Sequence, residues 1–428
     1  MRLRFDRRMG DEIGHCSFGA GFDVWIVPRS DHRQKAAALR VDYGSVDLDI
    51  RSTDGQRVWS TPLGTAHFLE HRLFEKACGD ITDRFNALGG DVNASTSYTN
   101  TVFTLACAEH FNANLELLFE LVFDFNLPAD SVEREREIIA RELCSGQDDP
   151  EWMGYLRGMQ CLYGDVPLSQ DMAGTLDSLG QIDGEAIAQC HQAFYRPERM
   201  GLFLCGDIEV DAVIASVASC LDRYRIPDAG YVACDRSVVR SEGQRSVEIA
   251  LPIQRPYALW FYGDVAVGMS GRALLERELA LELALDIAFG PASDFYAAHY
   301  EGGLVAGDAF GAEVYAEPSY CFCAVGGYTR HGERLGEAIG ATLELLPDLV
   351  EADFSRAKRK AYGQLLRACE QAEQVADLLC AAAIGQAELG EYFDVYEQIE
   401  AAAVLAAWSD CLQPEQMASV VIQPKNGA

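Results

Sequence analysis

The sequence predicts an α+β chain, an α/β sandwich of two homologous domains, each a mainly antiparallel sheet packed against helices. Three observations predict it. A chain of 428 residues exceeds what one ordinary core organises and suggests two or three domains. Strand patterns and helix patterns interleave along its whole length. The order of elements met before a stretch carrying Pro, Gly, Ser and mixed charge recurs after it. The boundaries read as a first domain over 1–225, a linker over 226–245 and a degenerate repeat over 246–428.

Composition narrows the classes. Hydrophobic residues make up 49%, ample for core, while the net charge of -31 argues against a nucleic-acid partner, which needs surplus Lys and Arg. That charge serves either as a solvated surface or as attraction for cationic peptides. The 14 Cys are scattered from Cys16 to Cys411 with no CxxC pair; Cys321 and Cys323 share one strand face, but a zinc site there lacks two further ligands. No apolar h-region follows MRLRFDRR, and no run approaches eighteen apolar residues. The reading is a soluble, cytoplasmic, reduced protein without a membrane span.

In chain order, 22–27 and 36–43 read as strands, rich in Val, Ile, Trp and Tyr or alternating apolar with polar. A polar loop leads to GTAHFLEHRLFEK at 64–76, which is helical by its helix formers and by Phe68, Leu69, Leu73 and Phe74. Residues 80–88 form a second helix, stopped by Gly89 and Gly90. Two antiparallel strands follow, 91–95 and 99–107, then a helix over 113–125. The helix from Ser131 starts at a capping box of Asp130 and Glu133. From 151 to 221 the pattern is helical apart from MGLFLC at 200–205, an apolar run that suits a central strand. Beyond the linker come helices at 272–289 and 293–300, strands at 309–315 and 320–325, and a helix at 333–346. The tail over 354–412 is helical, with a last strand at 419–422.

Chemistry concentrates in two helices. His67 and His71 stand four apart, one turn above each other, with Glu70 beside them. Two such imidazoles chelate one Zn2+ and a neighbouring carboxylate takes a proton from water on the metal; the plainer alternative is a pair of ordinary helix histidines. In the helix from Ser131, about 100° per residue places Glu135, Ile138, Ile139 and Glu142 in one sector. Carboxylates beside isoleucines are costly unless paired or metal-bound, so that face holds either an ion pair to a core Arg or a metal ligand with a supporting acid.

With these motifs in order, the chain resembles the pitrilysin, insulinase and mitochondrial processing peptidase family of HxxEH zinc metallopeptidases, the inverzincins. HFLEH at 67–71 resembles the family's metal motif, and GGDVNASTSYTNTVF at 89–103 its glycine pair and substrate-holding edge strand. EREIIAREL at 135–143 resembles the helix whose last glutamate is the third ligand, and FYRPERMGLFLCGDI at 194–208 the passage closing the first domain. HRLFEK and ELCSGQDDPEW resemble a bacterial branch of small processing-type proteases.

The resemblance implies one zinc per chain held by His67, His71 and Glu142, Glu70 as general base and Glu135 as a supporting carboxylate. It implies a zinc endopeptidase acting on short unfolded or leader-type peptides, laid along the strand near Asn93 and Ala94. Many relatives place an Arg and a Tyr near the zinc from the second domain; AHYEGGLVAGDAFGAE offers Tyr300 and Ala306 there. Tyr300 is therefore a candidate substrate contact, and a partner is implied, either a second copy or an inactive paralogue. The alternative reading is a non-catalytic subunit of a heterodimeric processing complex; a thiol enzyme lacks a recognisable Cys, His and Asp or Asn motif. Arg72 stands after the second ligand where many relatives are apolar, and is expected to pair with an acidic neighbour.

Overall fold

The computed structural model describes residues 2–6, 8–19, 21–77, 79–128, 131–224, 231–233, 236, 245–305 and 309–425. The chain opens with strands β1 (Arg2–Asp6), β2 (Asp11–Phe18), β3 (Phe22–Pro28), β4 (Lys35–Val41), β5 (Asp49–Ser52) and β6 (Val58–Ser60). Helix α1 (Thr65–Phe74), the short strands β7 (Glu75–Lys76) and β8 (Gly79–Asp80), and α2 (Thr82–Ala87) lead to the hairpin β9 (Gly90–Thr96) and β10 (Thr101–Cys107). Helices α3 (Phe111–Phe123), α4 (Ser131–Gly146), α5 (Pro150–Tyr163), α6 (Leu176–Gln181) and α7 (Gly184–Phe194) precede β11 (Met200–Gly206), α8 (Val210–Arg223) and β12 (Tyr231–Ala233). The second half runs β13 (Ser246–Leu251), β14 (Tyr257–Gly263), α9 (Arg272–Phe289), α10 (Asp294–Glu301), β15 (Phe310–Glu317) and β16 (Tyr320–Tyr328). It closes with α11 (Gly332–Glu344), α12 (Leu346–Ala368), α13 (Ala372–Ile384), α14 (Leu389–Gln398), α15 (Ala401–Asp410) and β17 (Met417–Pro424).

The two large sheets share a plan. One is ordered β1-β2-β3-β11-β4-β10-β9, the other β13-β17-β14-β16-β15. Without β1 and β2 the orders coincide strand for strand. In each, one pair is parallel, β3 with β11 and β13 with β17, and the remaining pairs are antiparallel. In the equivalent crossover positions, α1 and α2 connect β4-side to β9-side elements as α9 and α10 lie between β14 and β15. The repeat expected from element order is thus a repeat of topology. Each sheet has its own core. Phe22, Leu39, Phe68, Leu69, Phe103 and Phe119 are fully buried in the first, and Leu281, Cys323, Val325, Leu335 and Ile339 in the second.

Several strands escape the sequence reading. β14, YALWFYG, is buried at all seven positions, so it shows no alternation to betray it. β2 begins on polar residues, and β13 starts within the stretch next to the expected linker. Of that linker, 226–245, only 231–233, 236 and 245 are described. Arg236 pairs there with Asp42 and Asp47. Asp130, expected as a helix cap, also lies outside the described residues.

Two compact units form, and neither is one continuous stretch. The first comprises Met1–Leu143, Asp171–Arg236 and Leu366–Ala381, the second Cys144–Gln170, Ser237–Leu365 and Ala382–Ala428. The sequence places a single division near 226–245, whereas α5 belongs to the second unit and most of α13 to the first. The reason lies in packing. Gly154 and Gly158 open a flat face on α5, and a Cβ at Gly158 would run into the ring of Phe261 on β14.

The first unit also holds a neutral histidine in its core. His191 is buried between the rings of Phe125 and Tyr195, with Nε2 3.0 Å from the Val122 carbonyl oxygen. Burial, and secondarily the nearby Lys76 charge, pushes its pKa down to about 4, while the bond to Val122 opposes the shift. The unfolded chain therefore binds a proton between pH 6.5 and 4 that the folded chain refuses, so stability falls as pH falls through that window. Between pH 7.5 and 5 the His191 contribution is expected to shrink by about 2 kcal/mol. Urea titrations at both pH values, compared with His191→Gln, check this; an equal pH dependence in the two proteins would contradict it.

Candidate metal centre

The helix that carries His67 and His71 starts where only glycine fits. Gly64 adopts φ 89, and a Cβ there would collide with the Ala173 carbonyl. From that start α1 buries Ala66, Phe68, Leu69 and Leu73 in the first core, which turns His67, Glu70 and His71 together toward another side of the helix. The two imidazole rings lie 4.5 Å apart between centroids. Immediately after α1, Lys76 donates to the Leu121 and Asp124 carbonyls at the end of α3, which ties down the tail of the helix.

His67, His71 and Glu142 each present a ligand atom, and these atoms lie within 4.8 Å of one another. Among the described residues they are the group of three or more His, Cys, Asp or Glu with that property. Glu142 arrives from α4, 71 positions after His71 in sequence, with Oε2 3.7 Å from His71 Nε2. Glu135, two turns earlier on α4, is buried and 2.9 Å from His71 Nδ1. The arrangement orients the ring: His71 donates its Nδ1 proton to Glu135, which places Nε2, on the Glu142 side, as the nitrogen that a metal would take.

Electrostatics fit a cation. Burial, reinforced by the charge of His71, pushes His67 down to about 3, so its imidazole is neutral, the form that ligates a metal. Its Nδ1 is buried without a hydrogen-bond partner among the described residues. For His71 burial acts downward, but the hydrogen bond to Glu135 and the charges of Glu142, Glu135 and Glu70 prevail and raise it. The negative field that favours a proton on this ring also attracts a metal ion. Glu70 is 7% exposed; burial raises its pKa, opposed by the Thr96 hydroxyl, which donates to Oε2 at 2.5 Å. A carboxylate poised in this way is suited to proton transfer.

The face read from the wheel of α4 needs one correction. Glu135, Ile139 and Leu143 form the buried stripe, whereas Ile138 is 41% exposed and the Glu142 side chain 48%. Glu142 reaches the cluster from the rim, not from a buried position. Asn93 and Ala94 lie on β9, the edge strand, opposite Thr104 and Phe103 of β10. The Ala94 N–H donates to the Asn93 side chain. Tyr300 belongs to the second unit, exposed near the end of α10 with its ring stacked on Tyr296, and Ala306 lies outside the described residues. Thr96, which the sequence reading passed over, shares its strand face with Ala94 and Val92; alternation along β9 is the signal that places it.

A duplicated sandwich carrying an HxxEH helix and a distant third carboxylate is an arrangement that suits a metal-dependent peptidase. The profile of the insulinase family, peptidase family M16, matches residues 60–160, which contain all of these groups, and that of the peptidase M16 inactive domain matches residues 181–362. The chain belongs to the insulinase family, peptidase family M16. It is 28% identical to the uncharacterized zinc protease YmfH of Bacillus subtilis over 98% of both chains. It superposes on an M16-like peptidase from Alicyclobacillus acidocaldarius with TM-score 0.90 and 26% identity, over 97% of this chain and 99% of that one. On pitrilysin the TM-score is 0.73 at 16% identity, over 99% of this chain and 46% of pitrilysin, a likeness of fold. Among the described residues no helix is long and apolar enough to cross a membrane.

Proposed function

We propose that the chain is a zinc-dependent endopeptidase that hydrolyses peptide bonds in short unfolded or leader-type peptides, with His67, His71 and Glu142 as the ligands of one zinc and Glu70 as general base. The observation that carries the reading is the convergence of three ligand atoms within 4.8 Å, next to a buried glutamate aimed by Thr96. Zinc at such a site supplies a Lewis acid that polarises the peptide carbonyl and makes water a stronger acid. Glu70 takes the proton from the attacking water, holds it in its buried pocket and passes it to the leaving amine. The Thr96 hydroxyl keeps the carboxylate pointed during both transfers. Glu135 keeps the His71 ring in one orientation.

Substrate lies extended along β9 and adds a strand to the sheet, a mode that selects unfolded chains because it pairs backbone with backbone. The Asn93 side chain has to release the Ala94 N–H for that pairing, which makes Asn93 a gate on the edge. No nucleic acid or membrane partner is assigned. The described cysteines are all free thiols, most of them buried, which supports a reducing, cytoplasmic setting.

One feature favours a second reading, a subunit that works only with a partner. The 298–313 stretch offers Tyr300 and Ala306 where the resemblance implies an Arg and a Tyr, and the chain matches about half of pitrilysin's length. A second copy or an inactive paralogue would complete the site. The test is to measure zinc content and mass of the purified chain, then cleavage of a peptide library. The expected result is one zinc per chain, with cleavage blocked by a chelator and spared by a thiol alkylator. Absence of stoichiometric zinc would remove the peptidase reading, and zinc without cleavage would favour the subunit.

A further inference from the structure

The residue after the second histidine is a buried charge with an unusual load. Arg72 is 0% exposed, on the metal helix itself. Its Nη1 donates to Glu75 Oε2 and lies 3.5 Å from Glu135 Oε2. Nε and Nη2 are buried without a hydrogen-bond partner among the described residues. Burying a guanidinium that leaves two donor nitrogens unspent is costly, and an apolar side chain of similar volume would fill the same space more cheaply. Packing therefore does not explain an arginine here.

Its partners do. The two oxygens of Glu135 divide their work: Oε1 takes the His71 Nδ1 proton at 2.9 Å, and Oε2 faces Arg72. Glu75, the other partner, is held in turn by Arg134 of α4. Arg72 thus sits at the centre of a ladder, Arg134–Glu75–Arg72–Glu135–His71, that fastens α4 to α1. The same α4 carries Glu142 two turns further on.

We propose that Arg72 is a positioning residue for the metal centre: by clamping the Glu135 carboxylate it fixes the His71 ring and sets the register of the helix that delivers Glu142. The inference rests on the zinc reading above. Without Arg72, one oxygen of a buried carboxylate loses its partner, Glu135 is free to turn, and both contacts it anchors loosen.

The test is a double-mutant cycle on zinc affinity, with wild type, Arg72→Met, Glu135→Gln and the double variant competed against a chelator, each checked for folding by circular dichroism. Arg72→Met is expected to weaken zinc binding by about ten- to a hundredfold, the usual cost of losing a partner behind a metal ligand. On the Glu135→Gln background the same change is expected to cost less than about threefold, since Arg72 acts through Glu135. The Co2+-substituted Arg72→Met protein should show an altered visible spectrum, reporting a moved ligand. Arg72→Lys, which keeps the charge but not the fork, should recover part of the affinity, and it replaces Met in the cycle if that variant does not fold. Additive losses, or wild-type affinity in folded Arg72→Met, would overturn the proposal while leaving the zinc reading intact. A wild-type chain that binds no metal would overturn both.

Discussion

Glu70→Gln is expected to keep its zinc and lose roughly a hundredfold or more of its peptidase rate, the usual scale for a general base. Gln has the same shape and offers the Thr96 hydroxyl the same kind of acceptor, so the pocket around position 70 should persist. What it lacks is an oxygen that can take a proton. Because Glu70 is absent from the converging donor set, metal content should not change. At about 1.4 kcal/mol per tenfold, the loss corresponds to roughly 3 kcal/mol or more of transition-state stabilisation. Single-turnover cleavage by a zinc-replete variant settles the matter, and wild-type rates there would assign the proton transfer elsewhere.

The second large effect is expected at Glu142, the proposed third ligand. Glu142→Ala should weaken zinc binding by roughly a hundredfold or more, beyond the ten- to hundredfold typical of an outer partner. It should do so without unfolding the chain. The Glu142 side chain is 48% exposed and belongs to no buried stripe, so removing it leaves the core of the first unit untouched. That separates it from His67 and His71, whose substitution also disturbs packing on α1. Chelator competition and a thermal melt on the same sample check both halves. A variant that holds zinc as tightly as wild type would take Glu142 out of the ligand set.

The parts of the site legible in the sequence are those set by helical periodicity. His67, Glu70 and His71 meet because four residues make about one turn, and Glu135 and Glu142 face the same way because seven make about two. Neither relation depends on what surrounds the helix. Periodicity says which residues lie together and not which side of α4 is covered, so Ile138 is exposed while α4 buries the stripe of Glu135, Ile139 and Leu143. The strand β14 is illegible for the converse reason. Covered on both faces, it carries no alternation to read.

Arg72 marks where the sequence stops being informative. The sequence leads to an acidic neighbour for Arg72 but not to which one, and the pairing with Glu135 joins groups 63 positions apart. The same holds for Thr96 and Glu70, 26 positions apart. The compact units follow the same rule: α5 joins the second unit because its glycines admit the aromatic rings of β14, a match of surfaces that chain order does not express.

The sequence by itself determined the α+β class, the repeated order of elements and the two helices that carry His67, Glu70, His71, Glu135 and Glu142, because periodicity and residue type are local properties. Only the tertiary structure decided that Glu142 reaches the cluster from an exposed rim, that Glu135 is shared between His71 and Arg72, and that Thr96 aims Glu70. Those facts depend on which atoms meet through space, and the burial that gives each charge its partner exists only once the layers have packed.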